Sequence, residues 1–138
     1  MPSFSITSSD KLRTCHPDLQ LIMREAILGP YDFAIICGHR DEAHQRVAYL
    51  GNRSQVKWPH SQHNKSPSMA VDIAPFPIDW DDVGAFALLA GYIMGVAERL
   101  LQAGKIKHRL VWGGDWNTNG KTRDARFKDF PHFELRSR

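Results

Sequence analysis

The chain has 138 residues, of which 42% are hydrophobic and 24% are charged. These values fit a soluble globular protein with one domain over residues 1–138, and they exclude a disordered or fibrous chain. The 18 Lys and Arg against 15 Asp and Glu leave a basic excess too small to identify a partner. No basic run or basic motif interleaved with aromatic residues occurs, so we expect no nucleic-acid binding.

The first half of the chain predicts two helices with a strand between them. Residues 17–28 carry apolar side chains on one helical face and stop at a Gly-Pro pair, which predicts a helix. The apolar, β-branched run 32–37 predicts a buried strand that ends shortly before Arg40. Asp41 is typical of a helix cap, and the helix that it begins ends at Gly51.

The second half predicts a long loop, a core helix and three strands. Residues 52–67 are polar and contain two prolines, which is typical of a loop. Residues 70–74 alternate as a strand that places Asp72 on one face. A helix capped at its start follows over residues 79–104. Two further short strands are predicted at residues 110–112 and 132–135. These elements predict an α+β domain with a small, mostly antiparallel sheet flanked by helices.

Three features bear on where the protein acts. The first seven residues lack the basic start and apolar run of a secretory signal. The apolar run from Ala85 to Ala97 is shorter than the roughly 20 residues that span a bilayer, so it predicts a buried helix and no stable membrane insertion. Cys15 and Cys37 are too few for a disulfide framework and lack Cys-x-x-Cys spacing, which favours reduced thiols and folding in a cytoplasm.

Two His-containing motifs together offer the ligands of a catalytic zinc ion. His63 precedes the strand that carries Asp72, and His132 lies near the end of the chain. Two imidazoles and one carboxylate leave a fourth tetrahedral position for water, as in catalytic zinc sites. A base is needed beside that water, and Asp129 lies three residues before His132 with a proline between them. His60 is an alternative ligand to His63.

The motifs resemble those of a family of peptidoglycan metallopeptidases. The family includes D-alanyl-D-alanine carboxypeptidases and phage L-alanyl-D-glutamate endopeptidases, and it shares a fold with the hedgehog signalling domain. The resemblance rests on motifs that cover nearly the whole chain: Ser61-Gln62-His63, Ala70-Val71-Asp72-Ile73-Ala74-Pro75, Asp129-Phe130-Pro131-His132, Gly38-His39-Arg40 and Trp112-Gly113-Gly114-Asp115-Trp116. One departure is the spacing of His63 and Asp72, which are nine residues apart instead of seven.

The resemblance implies a role for each matching residue. His63, Asp72 and His132 would hold one zinc ion per chain, with Asp129 as the base. Arg40 would bind the carbonyl oxygen as it becomes an oxyanion. The implied activity is that of an endolysin that hydrolyses the L-alanyl-D-glutamate bond of the peptidoglycan stem peptide and so lyses the bacterial host.

The remaining candidate residues concern substrate binding and the support of the site, and several of them have two interpretations. We assign Ser61 and Asp115 to substrate binding, the latter because the resemblance implies that it shapes the cleft. Trp112 and Trp116 either line a groove for a sugar-peptide polymer or are core aromatics. Arg40 could instead form an ordinary surface ion pair, and Glu134 either orients a ligand or is an edge-strand charge.

The resemblance also sets expectations about oligomeric state and location, and it suggests two alternative functions. We expect a monomer, made in the host cytoplasm, that reaches the cell wall after a separate protein disrupts the membrane. A D-alanyl-D-alanine carboxypeptidase is the nearest alternative and would need a cation near the substrate's terminal carboxylate. A non-catalytic, hedgehog-like zinc-binding module is a further alternative, but it would have no reason to keep Asp129 and Arg40 together.

Overall fold

A computed structural model describes residues 2–122 and 128–138. Within them the chain forms four α-helices, a 3₁₀ turn and four strands, in the order α1 Ile6–Leu12, α2 Pro17–Ile27, β1 Phe33–Cys37, α3 Glu42–Leu50, the turn Gln62–Asn64, β2 Ala70–Pro75, α4 Val83–Gln102, β3 Arg109–Trp112 and β4 His132–Arg136. The strands form one sheet in the order β1-β2-β4-β3, and every neighbouring pair is antiparallel. The predicted α+β class and antiparallel sheet are confirmed.

The helices begin where a side chain can accept a hydrogen bond from one of the free backbone N–H groups of the first turn. Asp41 accepts a hydrogen bond from the backbone N–H of His44 and starts α3 at the predicted position. His16 lies one residue before Pro17, which begins α2. Its imidazole accepts a hydrogen bond from the backbone N–H of Asp18. The sequence motifs for helix starts therefore locate these two elements correctly.

Two helices differ from the prediction. Helix α1 was not predicted; at seven residues it is too short to show a clear apolar period, and Ser5 caps it. Helix α4 begins at Val83 and not at Asp79, because Asp82 is the residue that caps it. The carboxylate of Asp79 instead accepts from the backbone N–H of Asp81 and closes a turn before the helix.

Helix α4 is longer than the apolar run that predicted it. It has 20 residues, and within the described parts of the chain it alone has the length and apolar composition of a membrane span. The side chains on one face, including Leu89, Ile93 and Ala97, are buried in the core, whereas Val83 and Leu88 are exposed. Because α4 packs against α2, β2 and β3, it serves in this fold as the central core helix.

The two faces of the sheet have different tasks. Val71, Ile73 and Phe133 point into the core beneath α4. Asp72 and His132 alternate with them and therefore lie on the opposite face. A register slip of one residue would exchange the two sets, so burial of the apolar face fixes the position of the polar one.

Candidate active site

Asp72 and His132 meet because their strands are paired. They are direct partners in the register of β2 and β4. The Nδ1 atom of His132 lies 3.1 Å from Oδ1 of Asp72. Both side chains are mostly buried, at 10% and 17% exposure. The sheet alone therefore brings one imidazole and one carboxylate together.

His63 reaches the same carboxylate oxygen from a loop. It lies in the 3₁₀ turn, where the Ser61 hydroxyl accepts from the His63 N–H and the Asn64 side chain accepts from the Ser61 N–H. The Nε2 atom of His63 is 3.2 Å from Oδ1 of Asp72. This oxygen thus lies between two imidazoles, one from the sheet and one from the turn.

The far nitrogen of each imidazole has its own partner. Nδ1 of His63 is 2.7 Å from the carbonyl oxygen of Gly38. A Cβ at Gly38 would collide with the Thr14 side chain and with the Lys11 carbonyl, so this segment needs a glycine to pack closely against the end of α1. Nε2 of His132 is 2.8 Å from Oε1 of Glu134. Such partners fix the tautomer that leaves the other nitrogen with a lone pair for a metal.

The residues around Asp72 have the chemistry of a metal site. Two overlapping groups of possible ligands share this carboxylate: Cys37 with His63 and Asp72, and Asp72 with Asp129 and His132. Imidazole nitrogens with a carboxylate oxygen suit Zn²⁺, and a ligand that comes from a sheet is held rigidly. His63 belongs to one of these groups and His132 to the other, so the three ligands predicted from the sequence meet at the shared Asp72 carboxylate, and their role as one ligand set stays a prediction.

A third group of possible ligands lies away from this site, at the start of α2. It consists of His16, Asp18 and His108. Oδ2 of Asp18 accepts from the backbone N–H groups of Lys107 and His108, and Nδ1 of His108 lies 2.8 Å from it. These contacts join α2 to the segment that precedes β3, which accounts for the group structurally.

The buried charges shift one another's pKa. Burial opposes ionisation of Asp72, but His63 and His132 outweigh it and hold the pKa of Asp72 well below its usual range. Burial opposes protonation of both imidazoles, yet Asp72 raises the pKa of His63 to about 10 and, with Glu134, that of His132 to about 9. A divalent cation binding here would replace protons on these rings.

Asp129 is held by its backbone. Its N–H donates to the carbonyl of Gly113, and its carbonyl accepts from the N–H of His132. A Cβ at Gly113 would collide with the Asp129 carbonyl. Oδ2 of Asp129 lies 3.9 Å from Nδ1 of His132. Burial, and then the negative charge of Asp72, raise the pKa of Asp129 to about 6, which suits a group that takes up and releases a proton near neutral pH.

Arg40 follows β1 and points its guanidinium at the site. The guanidinium donates to Oε1 of Gln45 at 2.9 Å and lies 3.5 Å from Oδ2 of Asp72 and 3.7 Å from Sγ of Cys37. Oδ1 of Asp72 thus contacts the two imidazoles, and its Oδ2 contacts the Arg40 guanidinium. Gln45 was not recognised from the sequence, because a glutamine within a helix is ordinarily an exposed residue.

These groups border a divided cleft. One cavity of about 540 Å³ is lined by the site residues together with Ser61 and Trp116. A second cavity, of about 720 Å³, is lined by residues from β1 and α3. The two cavities share Arg40, Asp72 and Asp129. Open space therefore lies on both sides of the clustered charges.

The structure separates the predicted substrate-binding residues. Trp116 lines the cleft, with its ring 5.5 Å from that of His132. Trp112 is 7% exposed, belongs to the core and donates from Nε1 to the Phe130 carbonyl. The carboxylate of Asp115 accepts from backbone N–H groups of its own loop. Trp112 and Asp115 line neither of these two cavities, whereas Trp116 lines the first, so a part for Trp112 and Asp115 in substrate binding stays a prediction.

His60 and Glu134 were left open by the sequence. His60 lines the cleft but belongs to no group of possible metal ligands within the described residues. Glu134 is 8% exposed, and its contact with His132 is that of a residue that orients a ligand. The geometry therefore favours His63 over His60, and an orienting position for Glu134 over a solvated edge charge.

Comparison with known proteins gives a consistent result. A sequence model of the family described as phage L-alanyl-D-glutamate peptidase matches residues 2–136. The solved structure of the Serratia marcescens L-Ala D-Glu endopeptidase ChiX is similar over 97% of this chain and 90% of that one, with 28% sequence identity and a TM-score of 0.72. No curated protein sequence matches the chain significantly.

Proposed function

The chain belongs to the phage L-alanyl-D-glutamate peptidase family and acts on peptidoglycan, and from this premise we propose that it is a zinc-dependent endolysin. His63, Asp72 and His132 would hold one zinc ion per chain. The observation that carries the proposal is that both imidazoles meet one oxygen of Asp72 while their far nitrogens are fixed by Gly38 and Glu134. When bound, zinc supplies a Lewis acid that polarises an amide carbonyl and acidifies water.

Asp129 and Arg40 supply the remaining chemistry. Asp129 accepts a proton from the attacking water and later donates it to the leaving amine, a task that its raised pKa supports. Arg40 stabilises the negative charge that develops on the carbonyl oxygen, because its guanidinium is fixed and mostly buried, at 13% exposure.

The shape of the cleft supports an internal cut in a peptide chain. An endopeptidase must hold substrate on both sides of the scissile bond, and cavities flank Asp72 and Asp129 on two sides. Trp116 and Ser61 line one of these cavities and would contact the stem peptide. A carboxypeptidase would instead need one end of the cleft to be closed around a terminal carboxylate.

The route to the substrate follows from the family. We propose that the protein is a monomer that is made in the host cytoplasm and reaches the wall once a separate protein has disrupted the membrane. Insertion of α4 into a membrane is no part of this proposal, since the apolar face that includes Leu89, Ile93 and Ala97 is already buried in the core. The small positive net charge would favour approach to an anionic envelope.

The test combines metal analysis with product analysis. Purified protein should contain about one zinc per chain, and chelation should abolish hydrolysis of purified peptidoglycan until zinc is restored. Mass spectrometry of the digest should show a new amino terminus on D-Glu and a freed carboxyl end on L-Ala. Full activity after complete metal removal would refute zinc dependence, and release of terminal D-Ala would identify a carboxypeptidase.

A further inference from the structure

We propose that Gln45 is a positioning residue that fixes the Arg40 guanidinium and joins it to the wall of the cleft. The inference rests on the proposed role of Arg40 in stabilising the oxyanion. Gln45 lies in the middle of α3 and is 0% exposed. Burial of an amide is unfavourable unless its polar atoms find partners, so a glutamine at a fully buried helix position calls for a specific explanation.

The Gln45 amide has partners on both of its polar atoms. Its Oε1 accepts from Arg40 at 2.9 Å and from Nδ2 of Asn64 at 3.1 Å. Its Nε2 donates to the Ser54 hydroxyl at 2.9 Å and to the Val56 carbonyl at 2.7 Å. Four hydrogen bonds use the full capacity of the amide, which therefore has one orientation.

The bond to Arg40 is the shortest that its guanidinium makes among the described residues. The Asp72 carboxylate lies farther away, at 3.5 Å, as an ion pair, and Sγ of Cys37 lies at 3.7 Å, an ordinary distance for a contact to sulfur. The Gln45 oxygen thus selects one orientation of the planar guanidinium. Because this acceptor is neutral, it orients Arg40 without compensating the positive charge that an oxyanion would use.

The same amide links Arg40 to two other parts of the site. Ser54 and Val56 line the first cavity, so the Gln45 donor bonds hold that wall in place. Asn64 follows the proposed ligand His63 and also donates to the Arg40 carbonyl, at 3.1 Å. Loss of this one side chain would loosen Arg40 and the wall together, although the side chain itself does not line either cavity.

The test is a double-mutant cycle with the zinc-loaded protein. Gln45→Met keeps the volume and removes all four bonds, and Gln45→Asn keeps an amide too short to reach Arg40. Either variant should bind zinc normally and lose kcat by about tenfold to a hundredfold, the range for residues that orient a site group. KM should change less than kcat, because an oxyanion contact is made mainly in the transition state. Combined with Arg40→Ala, each substitution should cause little further loss of kcat, and the remaining effect of the loosened wall should fall on KM.

The control is Gln20→Met, which removes a half-buried amide bonded to the Cys15 carbonyl, away from the cleft. It should lower Tm without changing kcat. Wild-type kcat in Gln45→Asn, or losses that multiply fully with that of Arg40→Ala, would overturn the inference and leave Gln45 a purely structural residue. Wild-type turnover in Arg40→Ala would instead refute the proposed role of Arg40, so the two failures are distinguishable.

Discussion

The active site has two halves that are held in place by different means. Asp72, His132 and Glu134 stand on paired strands, so the backbone register that buries Val71 and Phe133 also places them. The two strands are central in the four-stranded sheet. This half is therefore fixed by the same interactions that fold the protein.

The other half stands on turns. His63, Arg40 and Asp129 lie outside the strands, and local hydrogen bonds hold each of them. The Gly38 carbonyl meets His63, Gln45 meets Arg40, and the backbone of Gly113 meets Asp129. Such contacts depend on single side chains or on glycines. Substitutions at supporting residues should therefore impair this half more readily than the sheet half.

The largest effect is expected where either half loses a metal ligand. His132→Ala removes the sheet-borne imidazole and His63→Ala the turn-borne one, and either should abolish zinc binding and hydrolysis. His60→Ala should keep both, since His60 belongs to no group of possible ligands among residues 2–122 and 128–138. Zinc content by elemental analysis, together with peptidoglycan hydrolysis, measures the outcome. Retention of zinc in His63→Ala with loss in His60→Ala would reverse the assignment.

The next largest effect separates the base from the ligands. Asp129→Ala should keep the fold and the zinc and lose turnover by about a hundredfold to ten-thousandfold, the range for general acid-base catalysis. Asp72→Ala should lose zinc as well. Zinc content, Tm and stem-peptide cleavage are compared under one buffer. Near-normal cleavage in Asp129→Ala, or a loss of zinc as complete as in Asp72→Ala, would make Glu134 the next candidate for the base.

A smaller effect is expected from the residue that orients the sheet-borne ligand. Glu134→Ala removes the partner of His132 Nε2 and should weaken zinc binding by about tenfold to a hundredfold. Arg136→Ala is the matched control, because it removes the other contact of Glu134, at 3.1 Å, and leaves the imidazole contact intact. Zinc affinity is measured by competition with a chelator. Equal losses in the two variants would mean that Glu134 acts only through Arg136.

The sequence could predict the candidate ligands and base, which the structure brings together, but not the residues that support them. The motifs around His63, Asp72 and His132 identified the possible ligands because these residue types have few other uses in combination. Gln45 and Gly38 carry no such signal, since their roles depend on how the turn after β1 folds against α3 and against the 3₁₀ turn that holds His63. The two interpretations of Trp112 and Trp116 stayed open for a related reason: the motif does not show which of its aromatic rings faces the core, and in the structure Trp112 is buried while Trp116 lines the first cavity.

The smallest predicted effect concerns the free energy of unfolding, which the buried carboxylate of Asp129 lowers when it is ionised. Burial and the charge of Asp72 raise its pKa from 3.8 in a model peptide to about 6. Between these two values the unfolded chain loses its proton first, so stability falls as pH rises, and the full penalty is present above pH 6. Asp129→Asn should remove that penalty and stabilise metal-stripped protein at pH 8 by up to about 3 kcal/mol. At pH 4 the gain should nearly vanish.

Denaturant unfolding at pH 8 and pH 4 measures this gain in stability, and the exposed Asp81→Asn is the control for the loss of a surface carboxylate. A gain that does not depend on pH, or no gain at all, would show that the folded protein holds Asp129 without an electrostatic penalty.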